Sequence, residues 1–108
     1  MTRHERAIAS MKLFFIRKEL DRICEAKNRI IRIDLHGMSC SDARRFLNNV
    51  INVLQESGIL QIIHGCNQGT VLQNMIRNDY TNNHIKTMIL NSKNNGVTYL
   101  QIELIVLK

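Results

Sequence analysis

Apolar residues recur at three- and four-residue intervals from about Arg6 to Lys27, where Leu13, Ile16, Leu20 and Ile23 mark a stripe that Met11, Phe14 and Phe15 widen. That is the helical period, so the spacing predicts an amphipathic helix with Lys12, Arg17, Lys18, Glu19 and Arg22 around its apolar face. The apolar face must be buried, either on the rest of the chain or on a partner chain. At Lys27-Asn28 the spacing stops, and Asn28 suits a helix end or a turn. From Ile30 to His36 the period becomes two, which places Ile31, Ile33 and Leu35 on one face of a strand and Arg32, Asp34 and His36 on the other.

Gly37 breaks this strand. Ser39, with Asp42 three residues on, resembles a capping box with Asp in place of Glu, so a helix should start there. Ala43, Phe46, Leu47, Val50, Ile51 and Leu54 give its buried face, and Gly58 stands where a glycine ending a helix is expected. Ile59 to Ile63 is short, apolar and bounded by turns, which predicts a buried strand and hence a parallel βαβ unit. After His64-Gly65-Cys66-Asn67-Gln68-Gly69, helical spacing returns in Val71, Leu72, Met75 and Ile76 as far as Tyr80. His84 to Leu90 and Val97 to Leu107 read as two strands of a hairpin, joined by the turn-rich Asn91 to Gly96. The expected class is α/β, with the order β-α-β-α-β-β in residues 29–108 and the amphipathic helix in residues 1–28.

The length, 108 residues, allows one core. Hydrophobic residues at 44% and charged residues at 22% place the chain among folding sequences, and the absence of Trp and Pro makes its core aliphatic. A net charge of +6 favours polyanionic partners. Residues 1–29 hold eight Lys/Arg and four Asp/Glu, so +4 of the excess lies there, interleaved with acids as on a solvated helix face. The three cysteines, Cys24, Cys40 and Cys66, are widely spaced and form no CxxC pair, which suits a reducing compartment. With no signal peptide and no run long enough to span a bilayer, the expectation is a cytoplasmic protein without a membrane partner.

The first strand ends in Asp34-Leu35-His36-Gly37 and the second in His64-Gly65. Parallel neighbours would bring both ends to one sheet edge, where ligands of open α/β sheets bind. There His36 and His64 could act as acid and base toward a ribose hydroxyl and a leaving oxygen, with Asp34 fixing a tautomer. The competing reading is that polar residues at strand ends are commonplace and the histidines unrelated. Gly65 and Gly69 flank a polar segment that opens a helix and could present backbone N–H groups to a phosphate, although a plain helix-entry turn has the same composition. Arg44 and Arg45 could meet phosphates or be simply solvated, and Arg77 and Lys86 share that ambiguity. Cys40, Cys66, His36, His64 and His84 could be assembled into a zinc site only without close ligand spacing, so no metal site is assigned.

Taken together, Ile33-Asp34-Leu35-His36-Gly37, Ile62-Ile63-His64-Gly65, Gly69-Thr70-Val71-Leu72 and Gly96-Val97-Thr98 resemble, in order and spacing, the Smr (small MutS-related) domain over roughly residues 30 to 106. The resemblance implies a four-stranded mixed sheet with two covering helices, similar to the C-terminal domain of a bacterial translation initiation factor. It also implies nucleic-acid binding, often joined to endonuclease activity. Carried over by position, Asp34 and His36 match the family's Asp-Leu-His motif and His64-Gly65 the start of its glycine loop. Gly96 and Thr98 match more loosely and receive no role. Where the family loop commonly reads Gly-Lys-Gly, this chain has Gly65-Cys66-Asn67, which removes a cation; Asn67 and Gln68 could replace hydrogen bonds but not charge.

The reading that follows is an endonuclease favouring RNA cleavage over DNA nicking. Its catalytic residues are Asp34, His36 and His64, and its nucleic-acid contacts Gly65, Asn67, Gln68, Gly69, Thr70, Arg44 and Arg45. No cofactor is expected, magnesium entering only if DNA is the substrate. Partners are RNA or DNA, with the ribosome a further candidate. The alternatives are a non-catalytic nucleic-acid- or ribosome-binding module, and an adaptor or homodimer acting through the N-terminal helix.

Overall fold

The computed structural model describes residues 15–25, 30–54, 56–65, 70–91 and 93–104. Within these, a short helix α1 (Arg17–Leu20) leads into β1 (Ile23–Glu25) and β2 (Ile30–Asp34). Helix α2 (Cys40–Val53) crosses to β3 (Gly58–Ile63), and α3 (Thr70–Asn74) runs on into a π-helical stretch, Met75–Asp79, before β4 (Ile85–Leu90) and β5 (Val97–Ile102). The sheet order is β1-β2-β3-β5-β4, with β2 and β3 parallel and the other three pairings antiparallel. The expected βαβ unit and the final hairpin are both present.

Among the described residues the sheet has five strands instead of four. Residues expected to continue a long helix instead form β1, whose Cys24 pairs with Arg32 of β2. The stripe Ile16, Leu20 and Ile23 has helical spacing, but the edge of β2 offers unpaired backbone groups, and these outweigh local periodicity over three residues. Among the described residues of this region, helix spans Arg17–Leu20, where the Glu19 carboxylate accepts from the Ile16 backbone N–H at 3.3 Å. The remainder of the expected helix, at 6–14 and 26–27, lies outside the described residues, as do the turn at Asn28 and the end of the last strand at 105–107.

Ser39 caps α2 as expected, its hydroxyl accepting from the Asp42 backbone N–H at 3.1 Å. The other half of the box is diverted, because the Asp42 carboxylate pairs with Arg45 at 2.8 Å. Ala43, Phe46, Leu47, Val50 and Ile51 form the buried face of α2, while Leu54 is only partly buried. Gly58 does not end this helix: α2 stops at Val53, and Gly58 opens β3 opposite Ile102. Leu72 of α3 and Met75 and Ile76 of the π-helical stretch are buried, but Val71 is 65% exposed and leaves the expected stripe.

Both helices cover the sheet face formed by Ile31, Ile33, Leu60, Ile62, Leu100 and Ile102, and Phe15 joins this core edge-on to Phe46 with ring centroids 5.5 Å apart. Each such aliphatic side chain contributes roughly 1.5–3 kcal/mol by burial. The opposite face carries a polar ladder, in which Arg32 donates to Gln61 at 3.2 Å and Gln61 to the Tyr99 hydroxyl at 3.3 Å. No helix among the described residues is long and apolar enough to cross a membrane.

Candidate nucleic-acid site

The carboxyl ends of the parallel strands meet where Asp34 pairs with Ile63, and Ile63 in turn with Val97 at the start of β5. Leu35 adds one further bond across this edge, its N–H donating to the Ile63 carbonyl at 2.8 Å, before Gly37 turns the chain with φ +79°. That conformation strains any residue with a Cβ. The turn throws His36 outward.

Asp34 and His36 come together as strand alternation predicts. One carboxylate oxygen, Oδ1, accepts from the His36 backbone N–H at 3.0 Å and lies 2.5 Å from ring Nδ1. The carboxylate accepts, so Nδ1 carries the hydrogen, and in the neutral ring Nε2 is left with its lone pair. The His36 side chain is 72% exposed. This couple can orient an imidazole and offer Nε2 to an external proton donor.

A third residue steadies the same turn. Arg22 donates through one guanidinium nitrogen to the Asp34 carbonyl at 3.1 Å and the His36 carbonyl at 2.9 Å, and its own carbonyl accepts from the Asp34 N–H at 2.8 Å. Helical spacing had placed Arg22 on a solvated face. Only the pairing of β1 with β2 brings it here, and a three-residue strand leaves too short an alternation to be read from sequence.

His64 is placed differently. It follows Ile63, but its ring turns into the interior and is fully buried. Nδ1 lies 2.9 Å from the Gly65 carbonyl and Nε2 lies 2.9 Å from the hydroxyl of Thr98, itself fully buried. Arg77 donates through Nε to the same hydroxyl at 2.9 Å and through its terminal nitrogen to the Val97 carbonyl at 3.1 Å. Burial pulls the His64 pKa below its usual value, and the nearby Arg77 charge adds to the effect, while the bond to Gly65 opposes it.

Gly65 adopts φ +81° and its N–H donates to the Gly96 carbonyl at 3.1 Å, as does the His64 N–H at 2.9 Å. Gly96 itself packs on Gly65, since a Cβ there would lie 3.4 Å from the Gly65 backbone and 3.2 Å from Asn94 Oδ1. The loose match at Gly96 and Thr98 therefore falls on two residues that touch the His64-Gly65 turn. Arg77, ambiguous in the sequence, completes this group.

Of the other expected contacts, Thr70 begins α3 and is exposed, and Arg44 and Arg45 are exposed on α2, with Arg45 tied to Asp42. Asn67, Gln68 and Gly69 lie outside the described residues. No group of three or more His, Cys, Asp or Glu among the described residues could hold a metal ion.

An open polar cleft of about 410 Å³ lies at the opposite end of the sheet, lined by Asn48, Asn52, Thr81, Asn82, Asn83 and His84. Asn48 is already engaged there, accepting from the Tyr80 hydroxyl at 2.7 Å and from Asn82 at 3.2 Å. The exposed Asp34–His36 pair is not part of it.

No curated protein matches the chain. The Smr domain family matches residues 33–103, which takes in the Asp34–His36 turn, the His64-Gly65 turn, Arg77 and Thr98. That match covers well over half of the chain, and the chain belongs to the Smr domain family.

Proposed function

We propose that this protein binds nucleic acid at the carboxyl edge of β2 and β3 and cleaves RNA there, with His36 as general base. The observation that carries this reading is the Asp34–His36 couple, its Nδ1 hydrogen held by the carboxylate and its imidazole side chain largely exposed, in a chain of the Smr family. Nε2 takes the proton of a ribose 2′-hydroxyl as that oxygen attacks the adjacent phosphorus, and solvent protonates the leaving oxygen. One well-placed base supplies on the order of 10²–10⁴ in rate. Asp34 orients the ring and stabilises the imidazolium as it forms.

In this reading His64 is not the second member of the acid and base pair that its place in the sequence suggests. A ring with no exposed surface and both nitrogens engaged does not reach a leaving oxygen. Its part is to fix the turn from which the chain leaves β3 toward Thr70, where the phosphodiester is held, with Arg44 and Arg45 adding charge.

A second reading, binding without cleavage, is favoured by one feature: only one of the two expected imidazoles is exposed. It predicts salt-sensitive binding with no product. Labelled single-stranded RNA, duplex RNA and supercoiled DNA, incubated with the protein with and without magnesium, separate the readings. Metal-independent cleavage of RNA supports the first, retention without product the second, and nicking of DNA only in magnesium overturns the choice of substrate.

A further inference from the structure

The buried chain from Arg77 to Gly65 has a single hydrogen-bond direction. At one end the Gly65 carbonyl can only accept, so His64 Nδ1 carries a hydrogen. Neutral His64 then has a lone pair at Nε2, and the Thr98 hydroxyl must donate to it. The Thr98 oxygen is left with lone pairs for Arg77 Nε–H, a group that can only donate. Arg77 thus donates to Thr98, Thr98 to His64, and His64 to Gly65. Protonating His64 would turn the Thr98 hydroxyl from donor into acceptor on both sides and strand its own hydrogen in the interior.

The ends of this chain are also tied to the backbone. Arg77 bonds the Val97 carbonyl at 3.1 Å and the Asn95 carbonyl at 3.5 Å, either side of Gly96, whose own carbonyl holds the N–H groups of His64 and Gly65. Arg77 sits in the π-helical stretch, a widened turn often found where a helix serves a site. One guanidinium therefore sets the hairpin end, the ring and the left-handed turn at Gly65 together.

We propose that Arg77 and Thr98 are positioning residues, which lock His64 as its Nδ1–H tautomer and through it hold the Gly65 turn in the conformation that receives the nucleic-acid backbone. Only the last clause rests on the proposed function. The lock itself is independent of it.

The test uses the whole chain and four variants, Thr98→Val, Thr98→Ser, Arg77→Met and His36→Ala. Nitrogen-15 spectra of the imidazoles report the tautomer directly, the Gly65 amide resonance reports the turn, and titration with a labelled single-stranded RNA reports binding. Expected are an Nδ1–H ring in the wild type, a displaced Gly65 amide and RNA affinity lower by about tenfold in Thr98→Val, the worth of one buried hydrogen bond. Thr98→Ser should restore both, Arg77→Met should shift the His64 and Gly65 signals in a protein that still folds, and His36→Ala should leave them unmoved. A wild-type ring protonated at Nε2, or a Thr98→Val protein with unchanged Gly65 signal, overturns the lock. Unchanged RNA affinity in Thr98→Val beside a shifted Gly65 signal overturns the link to the ligand. Wild-type protein that binds neither RNA nor DNA overturns the proposed function and with it that link, while the tautomer and Gly65 signals still decide the lock.

Discussion

A single oxygen of Asp34 holds both the backbone nitrogen and the ring of His36, at 3.0 Å and 2.5 Å. The turn and the imidazole orientation therefore depend on one acceptor. Asp34→Asn keeps an oxygen for both bonds but removes the charge that stabilises an imidazolium, whereas Asp34→Ala removes everything. Initial rates of RNA cleavage should fall in the order wild type, Asn, Ala. An Ala variant faster than the Asn variant contradicts the role given to Asp34.

Arg22 provides the second support of this turn. Arg22→Met keeps the aliphatic stem but loses the bonds to the Asp34 and His36 carbonyls. Since these groups are partly solvated, the expected loss is about 1 kcal/mol in urea denaturation, the net worth of an ordinary hydrogen bond. Cleavage should fall more than RNA affinity, because the displaced group is the proposed base. Equal stability in the variant and the wild type would show that the clamp contributes nothing.

His64 gives the fold a pH dependence with a definite sign. Its folded pKa lies below the unfolded value of 6.5, so the unfolded chain binds the proton more readily. The contribution is undiminished above pH 6.5 and is lost as the pH falls below it. Urea midpoints of the wild type should drop from pH 7 to pH 5 more steeply than those of His64→Gln, the difference isolating this ring from the chain's other histidines. Parallel pH profiles would contradict the buried, neutral state.

Tyr80 acts at the alkaline end. Burial pushes its phenol up to about 12, outweighing the Asn82 amide and the Arg44 charge, which favour the phenolate. Its stabilising contribution is intact below pH 10 and is lost as the pH rises from 10 toward 12. Ultraviolet titration should show a tyrosine ionising near 12 that is missing in Tyr80→Phe. At neutral pH that variant should be less stable by about 1 kcal/mol, having lost the bond to Asn48.

Strong periodicity made most of the fold legible. The fourteen-residue α2 was readable from its Ser39 cap and its buried face, and the alternation in Ile30 to His36 placed Asp34 beside His36. Short elements were not readable. Three residues of β1 take their conformation from the edge of β2, and Gly58 serves a strand pairing that its neighbours do not announce. The site was half legible for the same reason. A strand end reveals which residues are near an edge, but whether a ring at that edge turns outward like His36 or inward like His64 depends on Thr98 and Arg77, 34 and 13 positions away. Arg77 has no local signature, and Thr98 is marked only by the loose Gly96-Val97-Thr98 match.

His36 as the base is the assignment on which the proposed cleavage depends most directly. Single-turnover cleavage of labelled single-stranded RNA, with protein in saturating excess, measures the chemical step apart from binding for the wild type and His36→Ala. With His36 as the base, the rate in the variant is lower by roughly 10²–10⁴, the contribution of one general base, with RNA affinity changed little. Equal single-turnover rates for the two proteins would contradict it.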